Sequence, residues 1–270
     1  MSDSDKVFAG SIPDIYDEYL VPMIFEPYAE DLAHRVIETA PTNVLETAAG
    51  SGVVTRVLAP LLSPEARYHV TDLNQPMLDR AARQQPAGSR IEWAQVDALA
   101  LPYKDESFDV VCCQFGAMFF PDRVAGYKEA HRTLRDGGRF VFNVWDHIEV
   151  NEFADSVTQT ATDIFPDDPP VFLARTPHGY HDRTTIEQDV TDAGFRNIEI
   201  HTISHQSPAP SPREPAIAYC QGTPLRNEIL KRDKNALDDI TNRAAADIER
   251  RFGAGPVSGL IRAHVIVATK

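Results

Sequence analysis

From Asn43 onward, short apolar runs alternate with longer segments in which apolar residues recur every three or four positions. A run of five to seven residues that is apolar almost throughout fits a strand covered on both faces, whereas a period near 3.6 fits a helix with one face on a core. The pattern predicts strands over Asn43–Thr47, Arg67–Thr71, Arg90–Gln95, Ser107–Cys113 and Gly138–Val144, with helices over Val53–Pro60, Gln75–Gln85 and Asp122–Arg135 between them. Strands alternating with helices in this way build βαβ units and a parallel sheet. In the last of these helices Val124, Tyr127, His131 and Leu134 share one stripe. Gly137 and Gly138 follow as candidates for a left-handed stop.

The rhythm breaks after Trp145, where Pro166, Asp167, Asp168, Pro169 and Pro170 predict a loop around a short helix. It resumes with a helix over Thr184–Ala193, a stop at Gly194 and a strand over Asn197–Ser204. A second break opens with the proline-rich Ser207–Pro215 and continues into a helix whose Leu237, Ile240, Ala244, Ile248 and Phe252 lie on one face. Leu260–Thr269 closes the chain as a seventh strand. The expected organisation is a single domain over 1–270. Its parts are an N-terminal helical cover (1–40), a core (41–145), two lid segments (146–182 and 205–256) and two segments that complete the sheet (183–204 and 257–270).

Chemistry concentrates at the strand ends. In Val44-Leu45-Glu46-Thr47-Ala48-Ala49-Gly50-Ser51-Gly52 an acidic residue ends the first strand and two glycines occupy the turn before a helix. Glycine lets a backbone approach a ligand closely, and a helix start offers N–H groups without partners. About 20 residues on, Asp72 ends the second strand, where a carboxylate can accept both hydroxyls of a ribose. The pair marks a nucleotide-type crevice without naming its occupant. A dinucleotide fingerprint wants a third glycine, and Thr55 stands there instead.

With these features in order, the stretch from Asn43 to Val144 resembles the class I S-adenosylmethionine-dependent methyltransferases of the small-molecule type 11 branch. The resemblance implies a Rossmann-like, doubly wound, mostly parallel seven-stranded α/β sheet with an antiparallel last strand and helical lid insertions. It implies S-adenosyl-L-methionine as cofactor. Glu46, Gly50 and Gly52 would lie by its amino-acid moiety, with Ala48 in place of the glycine common there. Asp72 would hold the ribose, Leu73 would flank the adenine, and Asp97 with the backbone at Ala98 would meet the adenine amine. Gln114 and Phe115 would face the methionine part, and Tyr16, in a cover that also includes Phe8, would reach the cofactor carboxylate. Met118, Phe119 and Phe120 read better as packing under the next helix, and Asp105 and Glu106 as a solvated turn.

Methyl transfer from a sulfonium needs alignment and dryness; a general base enters only if the acceptor must lose a proton. His147, directly after the fifth strand, is the candidate base, ahead of His178 and His181. Phe172, Tyr180 and Tyr219 are candidate apolar walls of an acceptor pocket. Composition narrows the acceptor: 26 Lys plus Arg against 40 Asp plus Glu leave a net charge of −14, which disfavours a nucleic-acid partner. Cys112, Cys113 and Cys220 lack metal-ligand spacing and read as buried thiols; no metal is expected. The N-terminal residues lack the basic and apolar regions of a secretory signal, and the apolar stretch Phe108–Phe120 is too short to span a bilayer. The expectation is a cytoplasmic enzyme, monomer or homodimer, acting on a small molecule, with no membrane partner. Two alternatives stay open: a catalytically silent cofactor-binding protein, and a nicotinamide-dependent oxidoreductase.

Overall fold

A computed structural model describes residues 12–86 and 90–270; Phe8 lies outside the described residues. Along the chain run α1 (Ile12–Ile15), a π-helix (Tyr16–Phe25), α2 (Glu26–Ile37), β1 (Asn43–Glu46), α3 (Val53–Leu58) and β2 (Arg67–Asp72). There follow α4 (Gln75–Arg83), β3 (Ile91–Gln95), β4 (Phe108–Gln114), α5 (Arg123–Thr133), β5 (Leu134–Trp145), α6 (Glu152–Ile164), α7 (Phe172–Arg175) and α8 (Arg183–Asp192). β6 (Arg196–Ala209), α9 (Arg213–Gln221), α10 (Leu225–Arg232), α11 (Ala236–Phe252) and β7 (Val257–Thr269) complete the chain. The seven strands form one sheet in the order β3-β2-β1-β4-β5-β7-β6. β1 pairs in parallel with β2 and β4, β2 with β3, and β4 with β5. β7 runs against β5: at one end Lys270 N–H donates to the Gly138 carbonyl and the Lys270 carbonyl accepts from Gly137 N–H, and at the other Asp146 N–H donates to the Arg262 carbonyl. This is the expected α/β class. All seven predicted strands form, and the central ones are buried, as a sheet covered on both faces requires.

Contacts divide the chain into two compact units. One comprises Glu26–Val144, His181–Ile203 and His264–Lys270; the other comprises the described part of Met1–Phe25, with Trp145–Tyr180 and Ser204–Ala263. The N-terminal cover therefore splits at Phe25, with α2 in the same unit as β1 to β4. There Tyr28 is fully buried and donates its hydroxyl to the Ile203 carbonyl. Phe120 lies against Gly126 of α5, where a Cβ would come within 2.7 Å of its ring, so the packing role expected for it holds.

In the other unit, α11 packs on α6 and α9, with Ile240, Ala244 and Ile248 buried as its spacing predicts. Asp146 and Arg262 form an ion pair at 2.5 Å, and Asn151 bonds to both neighbouring backbones. The segment between α6 and α7 is strapped to α10. Glu228 accepts from the main chain of Val171 and Phe172 and from Arg175, while Arg232 reaches Asp168. Phe172, Tyr180 and Tyr219 are all buried here.

Four expectations change. The helix read as ending at Arg135 stops at Thr133, because the chain turns at once into pairing with β4. Gly137, at φ +76°, serves a bulge in β5 in place of a helix cap: Phe108 faces Leu134 but Val110 faces Arg139, leaving extra residues between. The region after Trp145 holds a 13-residue helix, α6, where a short one was expected; Phe153, Val157 and Ala161 form its buried stripe. β6 continues through Pro208 to Ala209 into the supposed linker, which an edge strand permits because proline removes a donor that nothing there needs. Among the described residues no helix is long and apolar enough to cross a membrane.

Candidate functional site

The strand order reverses between β1 and β4, and in an open α/β sheet ligands bind outside the carboxyl ends of the strands at such a point. Four chain segments meet there, all in one unit: the loop after Glu46, the turn after Asp72, the turn after Gln95 and the turn after Gln114.

The first loop takes its shape from alternate residues in the left-handed region, Ala48 (φ 53°), Gly50 (φ 56°) and Gly52 (φ 80°). Glycine occupies the last two at no steric cost, and at 52 a Cβ would stand 2.8 Å from that of Ala81. Ala48 tolerates the third at a cost of about 1–2 kcal/mol. Its methyl fills space that a side chain on Gly116 would need, since a Cβ there would approach within 2.5 Å. The loop is tied to β2 by two bonds: Ala49 N–H donates to the Thr71 carbonyl at 3.0 Å and Gly50 N–H to Asp72 Oδ2 at 2.8 Å. Asp72 Oδ1 accepts from Asn74 N–H at 2.7 Å. The Asp72 carboxyl is 6% exposed; burial raises its pKa while these main-chain bonds pull the other way. Oδ1 also accepts from the Asn74 side-chain amide at 3.4 Å, while Oδ2 keeps a second lone pair for a hydroxyl.

Beside it Leu73 stands 44% exposed, an apolar face at the rim of the strand ends. The turn after β3 is fixed by Val96 N–H on the Asp72 carbonyl and by Gln95 Nε2 on the Leu73 carbonyl. It carries the exposed Asp97, whose Oδ1 accepts from Leu99 N–H, and the half-buried Ala98. After β4, Phe115 is left-handed (φ 48°) and its ring meets Tyr28 edge-on at 5.3 Å. Asn143 Oδ1 accepts the Phe115 N–H at 2.9 Å, and Asn143 Nδ2 donates to Gln114 Oε1 at 3.3 Å.

Glu46 behaves differently from the residues around it. It is 2% exposed and its carboxyl is held by Thr55 Oγ1 at 2.7 Å and by the Tyr68 hydroxyl. Burial pushes its pKa up to about 7 against the lowering effect of those two bonds. Glu46 therefore braces the loop from below, joining β1 to β2 and α3. Thr55, at the place of a dinucleotide third glycine, is its partner.

Tyr16 and His147 belong to the other unit. Tyr16 lies half-buried in the π-helix with its ring 5.0 Å from that of Phe25. His147 is 3.6 Å from Glu149 and its backbone donates to Asp146. His178 is buried with Nδ1 2.9 Å from the Asp146 carbonyl, and the three cysteines are buried. Sequence reading missed Tyr68 and Asn143, and it named Thr55 without its bond to Glu46. A signal existed for the two missed residues: Tyr68 shares the face of Asp72 in β2, and Asn143 is a lone amide in the apolar run Phe140–Trp145.

The geometry suits a nucleotide-bearing ligand with an amino-acid end. A backbone loop free of bulk sits beside a carboxylate whose Oδ2 has acceptor capacity left and beside an exposed leucine. The loop also contains Ser51, 1% exposed, whose hydroxyl has no hydrogen-bond partner among the described residues.

Residues 45–142 match a family model described as a methyltransferase domain. A demethylmenaquinone methyltransferase of Deinococcus radiodurans is 40% identical over 116 residues, 42% of this chain and 45% of that protein. A ubiquinone/menaquinone biosynthesis C-methyltransferase of Hahella chejuensis is 31% identical over 129 residues, 47% of this chain and 50% of that protein. The chain thus spans about half the length of these curated relatives. A solved Bacillus halodurans structure described as a methyltransferase superposes with a TM-score of 0.60 at 20% identity, covering 90% of this chain and 98% of that one.

Two outcomes follow from the loop. Between pH 4.5 and 7 the folded protein keeps a proton on Glu46 that the unfolded chain releases. This contribution to stability is therefore full at low pH and fades as pH rises through 7, a change on the order of 3 kcal/mol. Glu46→Gln should lose less melting temperature than the parent between pH 5 and pH 8; parallel curves would refute the assignment. Gly116→Ala should destabilise by about 1–3 kcal/mol through overpacking, and by clearly less in an Ala48→Gly background; purely additive denaturation energies would contradict the contact.

Proposed function

We propose that the protein, whose residues 45–142 match a methyltransferase-domain model, transfers the methyl group of S-adenosylmethionine to a small organic acceptor. The observation that carries this reading is the glycine loop tied by Gly50 to Asp72 at the sheet's reversal point. When bound, the cofactor supplies a methyl on a positively charged sulfur, which an acceptor atom displaces in line. The chain's part is to hold and orient. Asp72 takes the ribose hydroxyls on its remaining acceptor capacity, Leu73 covers one face of the adenine, and Asp97 with the backbone at Ala98 receives its amine. The loop over Ala48, Gly50 and Gly52 brings main-chain groups and the Ser51 hydroxyl to the amino-acid end, and Gln114 and Phe115 border it. Glu46 acts on this loop from beneath.

Thr55 supports the sulfonium donor over a dinucleotide: its side chain, bonded to Glu46, occupies a position where a pyrophosphate fold packs glycine. The net charge of −14 favours a small acceptor over a polyanion. The matched relatives' names concern quinone biosynthesis, but the family match covers only residues 45–142, the donor-binding strands, so the acceptor is assigned here by class alone.

Isothermal titration tests the proposal. Saturable binding of S-adenosylmethionine and S-adenosylhomocysteine is expected, with none for NAD; the reverse pattern would overturn it. Asp72→Ala should weaken the donor by about 100-fold or more, roughly 2.7 kcal/mol, since it removes the ribose contact and loosens Gly50 together.

A further inference from the structure

Within one unit, α6 and α11 pack side by side in opposite directions: the ring of Phe153 meets that of Phe252 at 5.2 Å, and Arg251 reaches Ser156 Oγ at 2.6 Å, near the start of α6. Farther along α6 the two helices leave a cleft of about 330 Å³. Gln159, Thr160 and Asp163 line it from α6, and Asp247, Arg250 and Arg251 from α11. A space of this size admits a small molecule. Thr160 is the informative residue in its wall. A threonine inside a helix can turn its hydroxyl back to the carbonyl four residues earlier, and Thr158 and Thr162 do so at 2.8 and 2.9 Å. Thr160 stands between them, only 8% exposed, and its hydroxyl bonds to nothing among the described residues.

The charged groups around Thr160 also have bonding capacity left over. Asp163, one turn on, has no hydrogen bond or ion pair among the described residues, and neither does the Gln159 amide. Arg251 gives only Nη1 to Ser156 and Asp155, which leaves Nε and Nη2 to donate elsewhere. Arg250 likewise uses only Nη2, on Asp247. Two carboxylates and two guanidiniums thus line the cleft, and their charges cancel. A lone anion would face the unpaired Asp163, and a lone cation the arginines. A ligand with an ammonium and a carboxylate a few bonds apart satisfies both, with Thr160 and Gln159 to meet a polar side chain.

We propose that the cleft between α6 and α11 is a binding site for a small, polar free amino acid, its carboxylate on Arg250 and Arg251 and its ammonium on Asp163. The cleft belongs to a different unit from the glycine loop, and the inference does not depend on the donor reading given under Proposed function. Asp163→Asn and Thr160→Val separate binding from folding, because neither polar group bonds within the protein. The first keeps the shape and removes the charge; the second puts a methyl where the idle hydroxyl stands.

Ligand-observed NMR titration of the full chain with L-serine and L-threonine tests the idea, alongside ethanolamine and glycerate, which lack the carboxylate and the ammonium of serine respectively. Saturable binding of at least one of the two amino acids at millimolar concentration is expected, with ethanolamine and glycerate weaker by about tenfold or more. Asp163→Asn should weaken the bound amino acid about tenfold and Thr160→Val about threefold, with each variant melting no lower than the parent. Absence of saturable binding by both amino acids, equal binding of ethanolamine or glycerate, or full affinity in both variants would overturn the proposal. A melting temperature lowered by Thr160→Val would show that the hydroxyl serves the fold, and would overturn it as well.

Discussion

The bond from Gly50 N–H to Asp72 is the constraint on which the crevice depends. It joins the loop after β1 to the end of β2, and the same carboxylate holds the turn that leads into α4. A carboxylate taken out of water costs several kcal/mol unless main-chain donors replace its hydration. Asp72 finds those donors in the segments whose shape it fixes, so burial and geometry are the same fact. At the end of β2 its Oδ2 accepts only this one bond, which leaves it capacity for a hydroxyl-bearing ligand.

Strain gathers at the same edge. Ala48 and Phe115 both hold left-handed backbone, on neighbouring strands, and each is kept there by its surroundings: Ala48 by the fit against Gly116, Phe115 by Asn143 and by the ring of Tyr28. Such conformations persist only where the rest of the structure over-determines them, and they cluster at sites that must be set in advance of a ligand. Glu46 supplies the rigidity from below. Its bonds to Tyr68 and Thr55 join three elements at a single carboxyl.

Much of the core was legible because parallel strands in a covered sheet are apolar end to end, and chemistry breaks that pattern only where a strand stops. Glu46, Asp72 and Gln114 announced themselves in this way. α6 did not: its threonines, Thr158, Thr160 and Thr162, are β-branched and weak helix formers, and their hydroxyls are reconciled with the helix partly by bonding back to carbonyls four residues earlier, as Thr158 and Thr162 do. Pro208 argued for a linker because proline opposes central strands, but nothing in the chain says which strand will lie at an edge. Asn143 and Tyr68 were hidden for a related reason: a polar atom inside a strand reveals its role only once the register shows what stands opposite.

The strap between α6 and α7 is fastened in a different currency from the helices around it. α6, α9 and α11 cohere through buried aliphatic and aromatic side chains, while residues 168–175 are moored to α10 through Glu228 and Arg232. Mobile ions screen such charges within about 8 Å at physiological strength and leave apolar burial intact. One unit thereby contains two kinds of cohesion with separate sensitivities, and brine reaches the moorings before it reaches the hull.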